Sequence, residues 1–353
     1  MKVFQLFDDP YSQIANPYIA TLMEGVRSLS KDVSFGYGKS VFMSDDIFGY
    51  DIIHLHWPDV FFNASSTKED YQTFRLRLET LKNKGVKFIA TCHNLEPHNC
   101  ASVYEKLSHD LVYGMADVII HLGQYSYSLF ENQYPNIRHV ILPHHTYDNL
   151  YSPVSKELSL RMLNLDPNRK YILCFGAFRN DEERFMVDSL AAKYHSKGID
   201  VLAPHYYVMG KSLNLYKIGK AWLLCRIKEK LTKGLHIYGW HVSDKMLPYF
   251  YGASDVCLIQ RNRILNSGNL PMGFYMGKVV VGPDIGNVGQ ILKDCNNPVF
   301  TPNSIDSLFE AVSSALTMNE QCLGNKNAIF ARDNLATSVI AGKLLNVYKE
   351  LVK

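Results

Sequence analysis

Ten short runs of β-branched and aromatic residues recur along the chain, and most of them are apolar throughout instead of alternating. In the first half they are KVFQLF (2–7), DIIHLHW (51–57), VKFIATCH (86–93), ADVIIHL (116–122) and RHVILPHH (138–145). In the second half they are KYILCFGAF (170–178), GIDVLAPHY (198–206), GLHIYGWH (234–241), SDVCLIQ (254–260) and KVVVGPD (278–284). A strand without alternation has to be covered on both faces, which is the situation of a parallel sheet. Segments of helical period such as YQTFRLRLETLKNKG (71–85) separate the runs. Strand, helix, strand, repeated in both halves, predicts an α/β chain with two doubly wound sheets.

The chain's 353 residues suit two domains of about 150 to 180 residues better than one core. The polar stretch 146–170, with two prolines, marks the join. We therefore expect a first domain over 1–160, a second over 161–333, and a final helix over 334–353 packed through Ala341, Leu344, Leu345, Val347, Tyr348 and Leu351.

Composition narrows the function. Hydrophobic content of 47% and charged content of 20% describe a folded globular chain, and a net charge of +3 gives no footprint for nucleic acid. The seven cysteines are dispersed with no Cys-x-x-Cys pair, and Cys174 and Cys257 sit inside apolar runs. That usage, with a start (MKVFQLFDD) that turns acidic too early for an export signal, points to the cytoplasm. No run reaches the roughly 18 apolar residues of a membrane span, so membrane contact is expected to be peripheral at most.

Several runs of the first half end in histidine: His54 and His56, His93, His121, and His144 with His145. Ligands of open parallel sheets bind beyond the carboxyl ends of the strands, so these imidazoles are expected to share one crevice edge. HLHWPD (54–59) puts His54 and His56 on one face of a strand. TCHNLEPH (91–98) ends a strand at His93 and turns with Glu96 and His98 in reach. Imidazoles and a carboxylate there suit general acid–base chemistry, whereas His-x-His at a strand end also suits metal ligation.

The second half carries the signals for an anion. FGAFRNDEER (175–184) follows a buried run and supplies Arg179 and Arg184, although Asp181, Glu182 and Glu183 also fit a plain helix first turn. SDVCLIQRNRILNSGNLP (254–271) supplies Arg261 and Arg263, then Asn266, Ser267 and Gly268 at an expected helix start that would hold a diphosphate. GPDIGNVG (282–289) is not Gly-x-Gly-x-x-Gly, and neither GKS (38–40) nor MGKS (209–212) has a P-loop glycine. A nicotinamide dehydrogenase and a P-loop NTPase are thus both unsupported.

IIHLHWPD with FIATCHNLEPH, then FGAFR, IYGWHVSDKMLPYFYGASDVCLIQ and NSGNLPMGFYMGKVVVGPDIGNVGQIL, in that order, resemble the GT-B glycosyltransferases. The likeness is to the family-4-like, mannosyltransferase-like group of bacterial exopolysaccharide and capsule assembly, over nearly the whole chain. It implies two Rossmann-like domains facing a central cleft, with the last helix crossing back to the first. The first domain would take an acceptor and the second a nucleotide sugar. By the same resemblance Arg179, Asn266, Ser267 and Gly268 bind the diphosphate, with Arg261 and Arg263 near it, and His93 lies beside the donor sugar. Retaining members carry two glutamates eight residues apart. Ile264 and Met272 stand there in this chain, and the usual lysine is replaced near Glu182, with Arg184 as the possible substitute. The resemblance with these departures implies an inverting transfer from a nucleoside-diphosphate sugar to a saccharide hydroxyl on a lipid-linked glycan. His93, then His56, Glu96 and Asp59, are the candidate bases, and the arginines remove the need for a divalent metal. Basic segments 74–85 and 220–234 would meet anionic headgroups of the inner membrane if either is a membrane face. The rivals are a metal-dependent hydrolase, a sugar-nucleotide epimerase, and a non-catalytic sugar-nucleotide-binding protein.

Overall fold

The computed structural model describes residues 1–12, 16–96, 102–207, 215–238 and 242–353. The chain divides into two compact units, Met1–Tyr147 with Asn334–Lys353, and Asp148–Asp333.

The first unit is built on six strands: β1 (Lys2–Leu6), β2 (Ser34–Tyr37), β3 (Ile52–Leu55), β4 (Lys87–Cys92), β5 (Val118–His121) and β6 (Arg138–Ile141). They are all parallel, in the order β2-β1-β3-β4-β5-β6. The chain reverses direction across the sheet between β1 and β3, the switch point where open α/β sheets bind ligands. Five helices connect the strands: α1 (Tyr18–Leu29), α2 (Lys39–Met43), α3 (Lys68–Asn83), α4 (Val103–Met115) and α5 (Gln124–Gln133).

The second unit repeats the plan with β7 (Lys170–Leu173), β8 (Ile199–Leu202), β9 (Leu235–His236), β10 (Val256–Leu258), β11 (Val279–Pro283) and β12 (Val299–Phe300), ordered β12-β11-β10-β7-β8-β9. The remaining helices are α6 (Lys156–Met162), α7 (Asp181–Tyr194), α8 (Leu215–Leu231), α9 (Leu247–Ala253), α10 (Asn269–Tyr275), α11 (Gly286–Asp294), α12 (Ile305–Glu320), α13 (Leu323–Leu335) and α14 (Thr337–Leu351). Ile172, Val201, Val256, Leu258, Val279 and Val281 from its strands pack with Val187 and Leu190 of α7 and Leu308 and Val312 of α12.

Register sorts the first sheet into two faces. Gln5 pairs with His54, His54 with Ile89, and Thr91 with Ile120, so these side chains share one face with Val3, Ile52 and Val118. Tyr18, Ile19 and Leu22 of α1 and Ile340, Leu344 and Tyr348 of α14 cover that face. The two helices approach closely because Gly25 has no side chain: a Cβ there would lie 2.9 Å from the Ala341 Cβ. Thr146 fixes the entry to α14, its N–H donating to the Leu335 carbonyl and its carbonyl accepting from Thr337 Oγ1, both at 2.7 Å.

Two features differ from expectation. The division falls at 147/148 instead of 160/161, because the polar segment before 161 packs into the second unit. Lys156 Nζ lies 2.6 Å from Asp255 Oδ1, and α6 seats on α9 so closely that a Cβ at Gly252 would be 2.1 Å from Ser159 Oγ. The outer strands β2 and β12 had no counterpart among the ten runs. Each lies at a sheet edge, β2 half-exposed and β12 only two residues long, so neither needs a continuous apolar run.

Candidate functional site

At the carboxyl end of the first sheet, six side chains from three strands and α14 form one hydrogen-bonded chain. Thr91 Oγ1 lies 2.8 Å from His54 Nε2, and His54 Nδ1 lies 2.7 Å from the Tyr348 hydroxyl. Gln5 Nε2 donates to that hydroxyl at 3.2 Å, and Gln5 Oε1 lies 2.7 Å from His56 Nε2. His56 Nδ1 then meets His93 Nε2 at 3.2 Å. With the Gln5 amide in this orientation the proton of His56 is assigned. His56 carries its proton on Nε2 and donates to Gln5, so its Nδ1 accepts from the Nε2–H of His93. Each buried polar group thereby has a partner, the condition for tolerating so many in an apolar core.

Burial keeps the imidazoles neutral. It pulls His54 down to about 3, with the neighbouring His93 adding to the effect. It takes His56 well below the ordinary range and half-buried His144 down to about 4. His145 is lowered by burial and then by His144 and His93. The rings pack round Tyr18, whose centroid is 4.8 Å from those of His93, His144 and His145 and 5.9 Å from that of His56. Trp57 stacks on His93 at 4.2 Å and 17°.

The expected grouping of histidines is therefore correct for all but one. His121 follows Ile120 and points to the opposite face, where its Nε2 lies 2.9 Å from His139 Nδ1, and burial pulls it down to about 3. Among the expected bases, His56 is badly placed. It is 1% exposed, both its nitrogens are engaged, and burial holds it neutral. Glu96 is an exposed side chain whose carboxylate lies 3.8 Å from Lys106 Nζ. Asp59 sits in the turn Pro58–Phe61, with its side chain outside the described residues, as is His98. His54 and His56 do share a face, stacked at 4.1 Å, but all four of their nitrogens are held by other side chains. The donor set that a metal would need is thus already spent. No group of three or more His, Cys, Asp or Glu side chains suited to a metal occurs among the described residues.

In the second unit the switch point lies between β7 and β10, and the loops leaving them are laced together. Gln260 Nε2 donates to the Gly176 carbonyl at 3.2 Å, Arg261 Nη2 to the Ala177 carbonyl at 2.6 Å, and Asn269 Nδ2 to the Phe175 carbonyl. Gly176 has φ of +119°, and a Cβ there would stand 3.1 Å from Asn269 Nδ2, so both the turn and the close approach call for glycine. Arg261 is 8% exposed and forms a buried ion pair with Glu183, whose carboxylate also accepts the Arg179 main-chain N–H at 2.7 Å. Arg261 is therefore a clamp inside the protein, with its Nη1 on Glu183. Arg184 is partly committed too, with Nη1 2.9 Å from Asp181 Oδ1 and Nε donating to the Tyr206 carbonyl at 3.4 Å. Arg179 and Arg263 are exposed, and among the described residues neither guanidinium has a hydrogen-bond or ion-pair partner.

The helix expected to begin at Asn266 begins at Asn269 and has seven residues. Two of the N–H groups at its start are engaged within the chain. That of Asn269 donates to Ser267 Oγ at 3.3 Å, that of Leu270 to the Ser267 carbonyl at 3.2 Å, and Pro271 has none. Asn266 is tied back by its Oδ1, which accepts from Asn287 Nδ2 at 2.8 Å. Met272, at one of the positions where retaining enzymes place glutamate, is 2% exposed and packs as core.

Two doubly wound parallel sheets of six strands, each with its polar loops at the carboxyl edge, define the GT-B fold. The chain superposes on sucrose-phosphate synthase from Thermosynechococcus elongatus with a TM-score of 0.72 at 14% identity, over 99% of this chain and 98% of that one. It is similar to HepE of Anabaena, solved in complex with UDP-glucose, with a TM-score of 0.70 at 12% identity over 99% and 100% of the two chains. The catalytic domain of starch synthase IV from Arabidopsis thaliana, bound to ADP and acarbose, gives 0.67 at 11% identity over 99% and 98%. No protein-family model and no curated protein sequence matches the chain.

Proposed function

We propose that the chain is a glycosyltransferase of the hexosyltransferase kind that uses a nucleoside-diphosphate sugar. The observation that carries this is the pair of exposed, unpartnered guanidiniums, Arg179 and Arg263, at the switch point of the second sheet. They stand on a fold whose solved examples include complexes with UDP-glucose and with ADP. In this reading the two arginines meet the diphosphate charge, so no divalent metal is required. The first unit supplies the base. In this reading His93, just past the end of β4, takes the acceptor hydroxyl's proton. The acceptor oxygen forms its bond to the anomeric carbon as the bond to the diphosphate breaks, with inversion, and the electron pair leaves on the nucleotide. The order of sequence motifs supports an acceptor on a lipid-linked capsule or exopolysaccharide intermediate.

Thermal unfolding with UDP, GDP, ADP, CMP, dTDP and their sugars, repeated with Arg179→Ala, tests the nucleotide half of the reading. One nucleotide should raise the melting temperature, and the variant should lose that shift while keeping its own stability. Nucleotide release that depends on a saccharide acceptor then separates transfer from binding alone. Conversion of the sugar with no acceptor would show an epimerase, and no response to any nucleotide would refute the proposal.

A further inference from the structure

Helix α8 turns its apolar side outward. Trp222, Leu223, Leu224, Ile227 and Leu231 are 53%, 53%, 47%, 45% and 78% exposed, the densest such group on any one helix among the described residues. At about 100° per residue, Leu223, Leu224, Ile227 and Leu231 fall within an arc of about 100°, on the far side of the helix from Cys225. Cys225 is 3% exposed and belongs to the unit's core. The helix is anchored on that inner side by Lys228 Nζ, 2.6 Å from Asp188 Oδ2, and by Glu229 Oε1, which accepts the Ile237 N–H at 2.7 Å. A stripe of large apolar side chains in water costs free energy unless something covers it.

The charges beside the stripe say what covers it. Segment 215–234 contains six cations and one acid, Glu229. Lys220, Arg226, Lys230 and Lys233 are exposed, while Glu229 lies on the inner edge, paired with Arg226 at 2.9 Å. Trp222 sits under the Arg226 guanidinium at 5.6 Å. An outward apolar stripe flanked by cations suits an anionic membrane surface. The other basic helix, α3, lacks it. There Arg77 binds the Phe42 and Ser44 carbonyls, Lys82 the Met115 carbonyl, and Arg75 Glu79.

We infer that α8 docks the second unit on an anionic bilayer surface, with Leu223, Leu224, Ile227 and Leu231 entering the interface and Lys220, Lys230 and Lys233 facing lipid phosphates. The inference does not depend on the proposed reaction, and its test does not use activity.

The full chain is sedimented with phosphatidylcholine vesicles with and without 30% phosphatidylglycerol, at low and high salt. It should bind the anionic vesicles and leave them as salt rises. Leu223→Ser with Ile227→Ser should abolish binding with the melting temperature unchanged. Lys230→Glu with Lys233→Glu should weaken it by roughly 25-fold or more, since each cation near an anionic surface is worth about fivefold. Equal binding to both vesicle types, binding that survives either double variant, or no binding at low salt would overturn the inference. A wild-type dimer that the serine pair converts to monomer, without vesicle binding, would assign the stripe to a second copy of the chain and overturn it as well.

Discussion

Mild acid should destabilise the chain through the first unit, with a size that follows from its buried histidines. An imidazole held neutral in the fold but free to protonate when unfolded stabilises the fold fully above its unfolded pKa of about 6.5. That contribution is lost as pH falls from there toward the folded value. His54 and His121 are held down to about 3 and His144 to about 4. At pH 5 each therefore loses about 2 kcal/mol relative to pH 8, or about 6 kcal/mol for three. His56 and His145 act in the same direction. Halving the sum for relaxation and water entry leaves about 3 kcal/mol, a large part of a domain's usual 5–15 kcal/mol. That corresponds to a fall of at least about 6 °C in melting temperature. Carboxylates do not imitate it, because their unfolded pKa of about 4 puts their losses lower in pH. Differential scanning calorimetry of the full chain at pH 8, 7, 6 and 5 and constant ionic strength measures it. His121→Gln should flatten the dependence by up to about 1.4 kcal/mol per pH unit below 6. A melting temperature constant within 2 °C from pH 7 to 5, or one that falls only below pH 4, would refute the idea that these imidazoles are neutral in the fold.

Other consequences are equally direct. Glu183→Gln should cost about 3–5 kcal/mol in denaturant unfolding, because it strands the buried Arg261 charge. Arg179→Ala should leave stability within about 0.5 kcal/mol and remove nucleotide-induced stabilisation. Gly25→Ala would gain about 1 kcal/mol in an isolated helix, but the 2.9 Å approach to Ala341 decides against it, and a net loss of about 1–3 kcal/mol is expected in thermal unfolding. Tyr348→Phe removes the hydroxyl shared by Gln5 and His54 and should cost about 1–3 kcal/mol, with no change in the helical circular dichroism of the folded protein.

The sheets were legible because strand runs buried on both faces leave an uninterrupted apolar signature. All ten runs contain a strand, and only the edge strands β2 and β12 left none. Helix α3 could be read from its period, and its start is fixed by a capping box in which Asp70 N–H donates to Thr67 Oγ1 and Thr67 N–H to Asp70 Oδ2. The start of α10 was misplaced because Asn266 and Ser267 have the chemistry of caps but spend it on Asn287 and on a turn before Asn269.

The candidate site was legible in its residue types and not in its connections. Period-two alternation placed His54 and His56 together, and the same alternation, once β4 and β5 are in register, sends His121 to the other face. What no local pattern supplies is the partner. Gln5 was one polar letter in an apolar strand, and Tyr348 read as one more residue of a packed stripe, 343 positions away. Arg261 looked like a phosphate ligand until Glu183, 78 positions earlier, proved to hold it. In each case the side chain's chemistry was visible and its commitment was not. An arginine or histidine is available to a ligand only after the fold's own buried groups have been satisfied. That condition separates Arg179 from Arg261.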